Sequence, residues 1–132
     1  MAARRVVLDA SALVDLLVAS PLGEPVRRRL EGHQLHAPAH LDAEVLSALG
    51  RLHRADKLSA VAVANRLRQL VVAPIVRHEL APLVEGAWKR RHNLRLVDAL
   101  YVELATRLEA PLVTTDSALA AASSAAELVT GS

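Results

Sequence analysis

Five short, strand-like runs of apolar residues are separated along this chain by longer segments that have helical periodicity. The strand-like runs are residues 6–8, 35–37, 70–76, 111–114 and 127–129. Strands that alternate with helices form βαβ units, so we expect an α/β fold with a mostly parallel sheet covered on both faces. Pro74 interrupts the third run, which places that strand nearer the edge of the sheet.

The segments between these runs predict seven helices. Their expected ranges are 12–18, 24–31, 40–55, 59–70, 80–91, 96–109 and 117–123. Ser59 is suited to cap the fourth helix, because its hydroxyl can accept a bond from a free backbone N–H. The chain has 132 residues and shows neither a linker nor a repeat, so we expect a single domain over residues 1–132.

The composition excludes several classes of protein. Hydrophobic residues make up 52% of the chain and charged residues 23%, which is typical of a globular protein. The chain has no cysteine, so disulfides and thiolate metal sites are excluded. Its apolar runs are shorter than a membrane span, and the N-terminal residues do not resemble a signal peptide. We therefore expect a cytoplasmic protein with no membrane association.

The basic residues leave two interpretations open. They form the clusters Arg27–Arg29, Arg51 with Arg54, Arg66 with Arg68, and Lys89–Arg91, although the net charge is only +2. Such clusters either follow a nucleic-acid backbone or form ordinary solvated helix faces. Trp88 and Tyr101 are too few for a base-stacking surface, and we expect both to pack in the core.

Four carboxylates stand at positions where the chemistry of a site is expected. Asp9 and Asp116 follow predicted strands, where each could also be an ordinary helix N-cap. Glu44 and Asp98 lie within the apolar stripes of their helices. A buried carboxylate is costly unless it is paired, hydrogen-bonded or bound to metal. The less specific alternatives for Glu44 and Asp98 are a buried ion pair or a place at the edge of the stripe.

Together the four carboxylates predict a metal site, because ligands in parallel sheets bind at the carboxyl ends of the strands. Clustered carboxylates repel one another unless a cation neutralises them, and a site of oxygen ligands suits Mg²⁺ or Mn²⁺. Such ions promote phosphodiester hydrolysis. Ser11 and Thr114 lie two residues from Asp9 and Asp116 and could orient carboxylates or waters.

Two other arrangements fit the residues less well. His36, His40 and Glu44 have the spacing of a zinc-binding helix, but Pro38 interrupts any helix between the two histidines. A phosphoacceptor receiver-like domain would need an aspartate at the end of the third strand and a lysine after the fifth. The third run instead leads into Arg77, and Thr130 follows the fifth.

Four segments, taken in order, resemble the PIN domain and, more narrowly, the VapC toxins of bacterial VapBC toxin–antitoxin pairs. They are residues 8–11 (Leu-Asp-Ala-Ser), 43–49 (Ala-Glu-Val-Leu-Ser-Ala-Leu), 97–102 (Val-Asp-Ala-Leu-Tyr-Val) and 112–116 (Leu-Val-Thr-Thr-Asp). The resemblance extends over almost the whole chain. One departure is Ser47, where members of the family often carry asparagine.

The resemblance implies a three-layer α/β/α sandwich around a parallel sheet of about five strands. It also implies a Mg²⁺-dependent endoribonuclease that acts on tRNA, rRNA or mRNA. Asp9 and Asp98 would be direct metal ligands, and Glu44 and Asp116 would complete the shell. A cognate VapB antitoxin that covers the cleft and a toxin homodimer are implied as well. The alternatives are a catalytically idle PIN-like module that binds RNA or protein, and a structure-specific DNA nuclease.

Overall fold

A parallel sheet of five strands forms the centre of the computed structural model, which describes residues 4–131. The strands are β1 (Arg5–Leu8), β2 (Gln34–Pro38), β3 (Ile75–His78), β4 (Leu112–Thr114) and β5 (Ala126–Leu128). Their order across the sheet is β3-β2-β1-β4-β5, and every neighbouring pair is parallel. The predicted parallel sheet and the edge position of the third strand are confirmed.

Seven α-helices within residues 4–131 cover the sheet. They are α1 (Ala10–Leu17), α2 (Gly23–Leu30), α3 (Leu41–Arg54), α4 (Ala60–Val72), α5 (Val84–Lys89), α6 (Leu96–Leu108) and α7 (Ser117–Ala122). One group contains α1 to α4, whereas α5 and α6 pack together and α6 contacts β1, β2 and β4. Val6, Val7 and Leu8 are fully buried in succession, so both faces of β1 are covered, as in an α/β/α sandwich.

The order of the strands determines where a ligand can bind. From the central strand β1 the chain proceeds outward through β2 to β3, and then returns to place β4 on the other side of β1. This reversal makes the carboxyl ends of β1 and β4 a topological switch point. In open α/β sheets such a point opens a crevice in which ligands bind.

The boundary between α4 and β3 differs from the predicted strand over residues 70–76. The helix continues to Val72, and the strand begins only at Ile75. Pro74 disfavours helical geometry at the residue before it, and Ala73 is accordingly extended, with φ −59° and ψ 137°. The Arg77 guanidinium donates hydrogen bonds to the carbonyls of Leu70 and Ala73, which satisfies the end of the helix. The β-branched residues before Pro74 therefore belong to the last turn of a helix.

Three further predictions are wrong around α5. The expected helix over 80–91 is divided into a 3₁₀ turn, Ala81–Leu83, and the short helix α5, because Pro82 restricts the backbone at this point. Trp88, expected in the core, is 56% exposed, and Val97, which the apolar spacing of α6 predicts to be buried, is 43% exposed. These side chains line an apolar surface groove between α5 and α6 together with Leu96 and Leu100.

Candidate active site

An open cleft of about 330 Å³ is lined by all four of the predicted carboxylates. Asp9 directly follows β1, and Asp116 stands two residues after β4. Glu44 lies in the first turn of α3 and Asp98 in the first turn of α6. Four segments that are distant in sequence therefore bring their acidic side chains to the switch point of the sheet.

Asp9 is the most enclosed of the four, with 5% of its surface exposed. Its Oδ1 accepts hydrogen bonds from Ser11 Oγ at 2.8 Å and from Ala12 N at 3.0 Å. Its Oδ2 accepts one from Thr114 Oγ1 at 2.6 Å. Burial raises the pKa of Asp9 against the opposing effect of these bonds, and the charge of Asp116 raises it further. The two hydroxyls expected to orient a carboxylate both contact Asp9.

Asp116 both caps the N-terminus of α7 and lines the cleft. Its Oδ1 accepts hydrogen bonds from the backbone N–H groups of Ala118 at 2.9 Å and Leu119 at 3.2 Å, at the N-terminus of α7. Asp9 caps α1 in the same manner through Ala12. The N-cap interpretation of both residues is therefore correct, and the same side chains line the cleft.

Glu44 lies at the edge of the apolar stripe of α3, and 27% of its side chain is exposed. Its Oε1 accepts a 2.6 Å hydrogen bond from the hydroxyl of Tyr101. His40 Nε2 stands 3.5 Å from the same oxygen. The ring of Tyr101 is buried as predicted, with 1% of the residue exposed, but its hydroxyl reaches the cleft. Sequence reasoning missed this second role.

Asp98 is paired with an arginine that also lines the cleft. Arg95 Nε donates to Asp98 Oδ2 at 3.0 Å, and Arg95 Nη2 lies 3.4 Å from Oδ1. The Asp98 side chain is 16% exposed and that of Arg95 74% exposed. The hydrogen bond to Asp98 raises the pKa of Arg95, and the charges of Asp98, Glu44 and Asp116 act in the same direction. The guanidinium is therefore within the field of three of the carboxylates.

Two more charged residues of the cleft were not predicted as part of it: Asp15 and Arg51. Asp15 accepts 2.6 Å hydrogen bonds from Thr115 Oγ1 and Ser20 Oγ, which tie α1 to neighbouring loops. Arg51 Nη1 donates to Ser47 Oγ at 2.9 Å. The four-residue spacing of Ser47 and Arg51 on one helix was the available signal, and it gives the unusual Ser47 a local partner.

The cleft has the oxygen donors for a cation, but its side chains are not arranged around one. Within residues 4–131, no three His, Cys, Asp or Glu side chains are placed to hold one ion. The zinc arrangement does not form, because a ring nitrogen of His36 bonds to His78 at 2.9 Å and His40 Nε2 donates to the carbonyl of Val97. The cleft nevertheless offers carboxylate oxygens, which are the donors that Mg²⁺ and Mn²⁺ prefer.

Comparisons with known proteins agree with this architecture. The family model of the PIN domain matches residues 6–124. Ribonuclease VapC3 of Mycobacterium tuberculosis is 54% identical over 119 residues, which are 89% of this chain and 87% of that protein. The crystal structure of PAE2754 from Pyrobaculum aerophilum superposes with a TM-score of 0.70 at 24% identity, over 98% of this chain and 85% of that one.

A second solved structure has the same fold. It is a toxin–antitoxin complex from Klebsiella pneumoniae, whose matched chain superposes with a TM-score of 0.69 at 15% identity. The match covers 96% of this chain and 99% of that chain. Both structural matches confirm the predicted α/β fold.

Proposed function

Since this chain belongs to the PIN domain family and, within it, to the VapC ribonucleases, we propose that it is a Mg²⁺-dependent endoribonuclease. We further propose that it is the toxin of a toxin–antitoxin pair. The observation that carries the proposal is the convergence of Asp9, Glu44, Asp98 and Asp116 on one cleft. Clustered carboxylates repel one another, and a bound divalent cation would relieve this repulsion.

The four carboxylates fit the proposed cation by the chemistry of their oxygen donors. Asp9 and Asp98 would bind it directly, and Glu44 and Asp116 would complete the shell, directly or through water. A bound Mg²⁺ would neutralise charge on the scissile phosphate and acidify a water molecule; Mn²⁺ could replace it. Ser11 and Thr114 fix the orientation of Asp9 through their hydroxyls.

Arg95 must be considered in this scheme because it holds Asp98. A cation at Asp98 would compete with the guanidinium for the carboxylate oxygens. An exposed arginine exchanges partners at small cost, because exposed ion pairs contribute only about 0–1 kcal/mol. Once displaced, Arg95 would remain beside the cleft and available to a phosphate.

The proposed substrate agrees with the positive groups at the mouth of the cleft. Arg51 lies on α3, and Arg95 immediately precedes α6. A guanidinium forms bidentate hydrogen bonds with a phosphate, whereas the acidic floor would repel an RNA strand that carries no metal ion. The arginines and the proposed cation would thus position the RNA backbone together.

The partners and the location belong to the same proposal. The Klebsiella match is to a toxin–antitoxin complex, and this supports a VapB-type antitoxin as the partner of this chain. A homodimer follows from the family resemblance alone. Each helix within residues 4–131 is too short or too polar to cross a bilayer. We place the protein in the cytoplasm because its proposed RNA substrate is there.

Cleavage of RNA by the purified protein tests the proposal. We expect cleavage with Mg²⁺ or Mn²⁺, none in the presence of EDTA, and none by the Asp98→Asn variant. Asp56→Asn is the matched control, because Asp56 lies outside the cleft at φ 58°, a conformation that asparagine tolerates.

Other outcomes would support the alternatives. Equal cleavage by wild type and Asp98→Asn would contradict the proposal. RNA binding without cleavage at any metal concentration would identify an idle binding module. Cleavage of flap DNA in preference to RNA would identify a DNA nuclease.

A further inference from the structure

Tyr101 is the only tyrosine of the chain, and its two ends lie in different environments. The ring is buried on α6, one turn after Asp98, with 1% of the residue exposed. The hydroxyl lines the acidic cleft. A phenol held in this way has little freedom to point elsewhere, because the packed ring fixes both of its side-chain torsions.

The hydroxyl donates a 2.6 Å hydrogen bond to Oε1 of Glu44. This length lies at the short end of the range for a hydroxyl donating to an oxygen. The phenol of tyrosine is ordinarily protonated at neutral pH, so the hydroxyl is a donor to this carboxylate.

His40 completes the enclosure of the same carboxylate oxygen. Its ring centroid lies 4.6 Å from that of Tyr101. Its Nε2 donates to the carbonyl of Val97 at 2.9 Å and stands 3.5 Å from Glu44 Oε1. These contacts bring Oε1 against the core side of the cleft and leave Oε2 as the oxygen that can face a ligand.

Glu44 needs such support more than the other cleft carboxylates do. Its side chain has three rotatable bonds and is 27% exposed, so ordering it costs conformational entropy. Asp9 has a shorter side chain and is held by Ser11, Ala12 and Thr114.

We propose that Tyr101 is a positioning residue that holds Oε1 of Glu44 and thereby presents Oε2 to the divalent cation. This inference rests on the metal-dependent function proposed above. The contribution of Tyr101 therefore passes through Glu44 and requires the hydroxyl, whereas the buried ring serves the core independently.

Calorimetric titration of the RNA-free protein with Mn²⁺ tests this inference. Tyr101→Phe keeps the ring and removes the hydroxyl, and we expect Mn²⁺ to bind about 10-fold more weakly, the lower end of the range for lost outer-shell partners. Thr106→Val is the matched control: it deletes a hydroxyl from α6 outside the cleft and leaves Mn²⁺ binding unchanged. Circular dichroism of each variant checks that the fold is retained.

A double-variant comparison separates positioning from packing. In a Glu44→Ala background, Tyr101→Phe should weaken Mn²⁺ binding no further. If Tyr101→Phe does not fold, Glu44→Asp replaces it, because the shorter side chain withdraws the carboxylate from the hydroxyl without changing the core. We expect Glu44→Asp to bind Mn²⁺ more weakly as well, because its carboxylate no longer reaches the hydroxyl of Tyr101.

Three results would overturn the inference. Unchanged Mn²⁺ affinity in Tyr101→Phe, or in Glu44→Asp where that variant replaces it, would show that the hydroxyl does not position the ligand. An equal loss with and without Glu44 would show that Tyr101 acts by another route. A wild-type protein that binds no Mn²⁺ would overturn both the inference and the proposed metal dependence. If wild type binds Mn²⁺ and cleaves RNA but either of the first two results is found, the inference fails and the proposed function stands.

Discussion

The two walls of the acidic cleft are built differently. On the strand wall, at the ends of β1 and β4, Asp9 is 5% exposed and accepts three hydrogen bonds from neighbouring groups. On the helix wall, the Glu44 and Asp98 side chains are 27% and 16% exposed, and each is held mainly by one other side chain. The fold itself fixes the strand wall, whereas the helix wall depends on individual side-chain partners.

This difference assigns different tasks to the two walls. A carboxylate that is held by the backbone and by hydroxyls keeps one position, so it can serve as a fixed ligand for a cation. The carboxylate of Asp98 can adjust to a ligand, because exchanging its partner Arg95 leaves the sheet unchanged. We therefore expect changes on the strand wall to have the larger effects.

The largest effect is expected for Asp9→Asn. Loss of this charge should reduce RNA cleavage by about 10³-fold, because metal-ion stabilisation of the transition state is worth several kcal/mol. The pKa of Asp9 is raised in the folded state, so its ionised form lowers the free energy of unfolding at neutral pH. The variant should therefore unfold at the same temperature as wild type or at a higher one. Cleavage near the wild-type rate would contradict the role of the strand wall.

Thr114→Val tests a residue of the strand wall that supports the carboxylate of Asp9. Thr114 is fully buried and donates to Asp9 Oδ2, and its hydroxyl also accepts from the backbone N–H of Asp116. We expect the free energy of unfolding to fall by about 1–3 kcal/mol and Mn²⁺ affinity by about 10-fold. Chemical denaturation and calorimetric titration measure the two quantities. A loss of stability with no loss of Mn²⁺ affinity would show that the hydroxyl serves the fold alone.

Arg95→Ala tests the adjustability of the helix wall. Removing the guanidinium frees Asp98, so Mn²⁺ should bind up to about 5-fold more tightly, the equivalent of an exposed ion pair. RNA should bind more weakly because a phosphate partner is lost. Arg91→Ala is the control, since Arg91 lies over the ring of Trp88 outside the cleft. Weaker Mn²⁺ binding by Arg95→Ala would mean that Arg95 supports the site instead of competing for it.

The smallest effect is expected outside both walls, at the His36–His78 pair on β2 and β3. Burial lowers the pKa of His36, and the neighbouring His78 and Arg5 lower it further. The unfolded chain therefore binds more protons, and the stability contributed above the ordinary histidine pKa is lost as the pH falls. His36→Gln should flatten the decline of the unfolding midpoint below pH 6.5. His92→Gln, at an exposed position, should keep the wild-type decline; an unchanged slope in His36→Gln would contradict this account.

The order of elements could be predicted because strand and helix periods differ clearly in this sequence. The errors lie where proline geometry or packing overrides the preference of single residues. Val71 and Val72 have strand propensity, but they end a helix because Pro74 delays the strand. Trp88 is apolar but lies on the surface, where it lines the groove between α5 and α6. The assignment of residues 1–132 to one domain remains a prediction.

The residues of the strand wall could be predicted from the sequence more fully than the contacts of the helix wall. Asp9 and Asp116 were accessible to sequence reasoning, because position at a strand end follows from the chain order alone. Arg95 stands three residues before Asp98, yet whether such a pair faces a cleft or solvent depends on packing. The direction of the Tyr101 hydroxyl is set by the three-dimensional position of Glu44, so the sequence predicted only the buried ring.

The central claim is that carboxylates from four segments hold one or more divalent cations in this cleft. Anomalous diffraction from crystals soaked in Mn²⁺ tests it most directly. The account predicts a peak between Asp9 and Asp98, at about 2.0–2.3 Å from carboxylate oxygens, with the guanidinium of Arg95 turned away from Asp98. A cleft without a peak, in crystals whose Asp98 remains bound to Arg95, would contradict it.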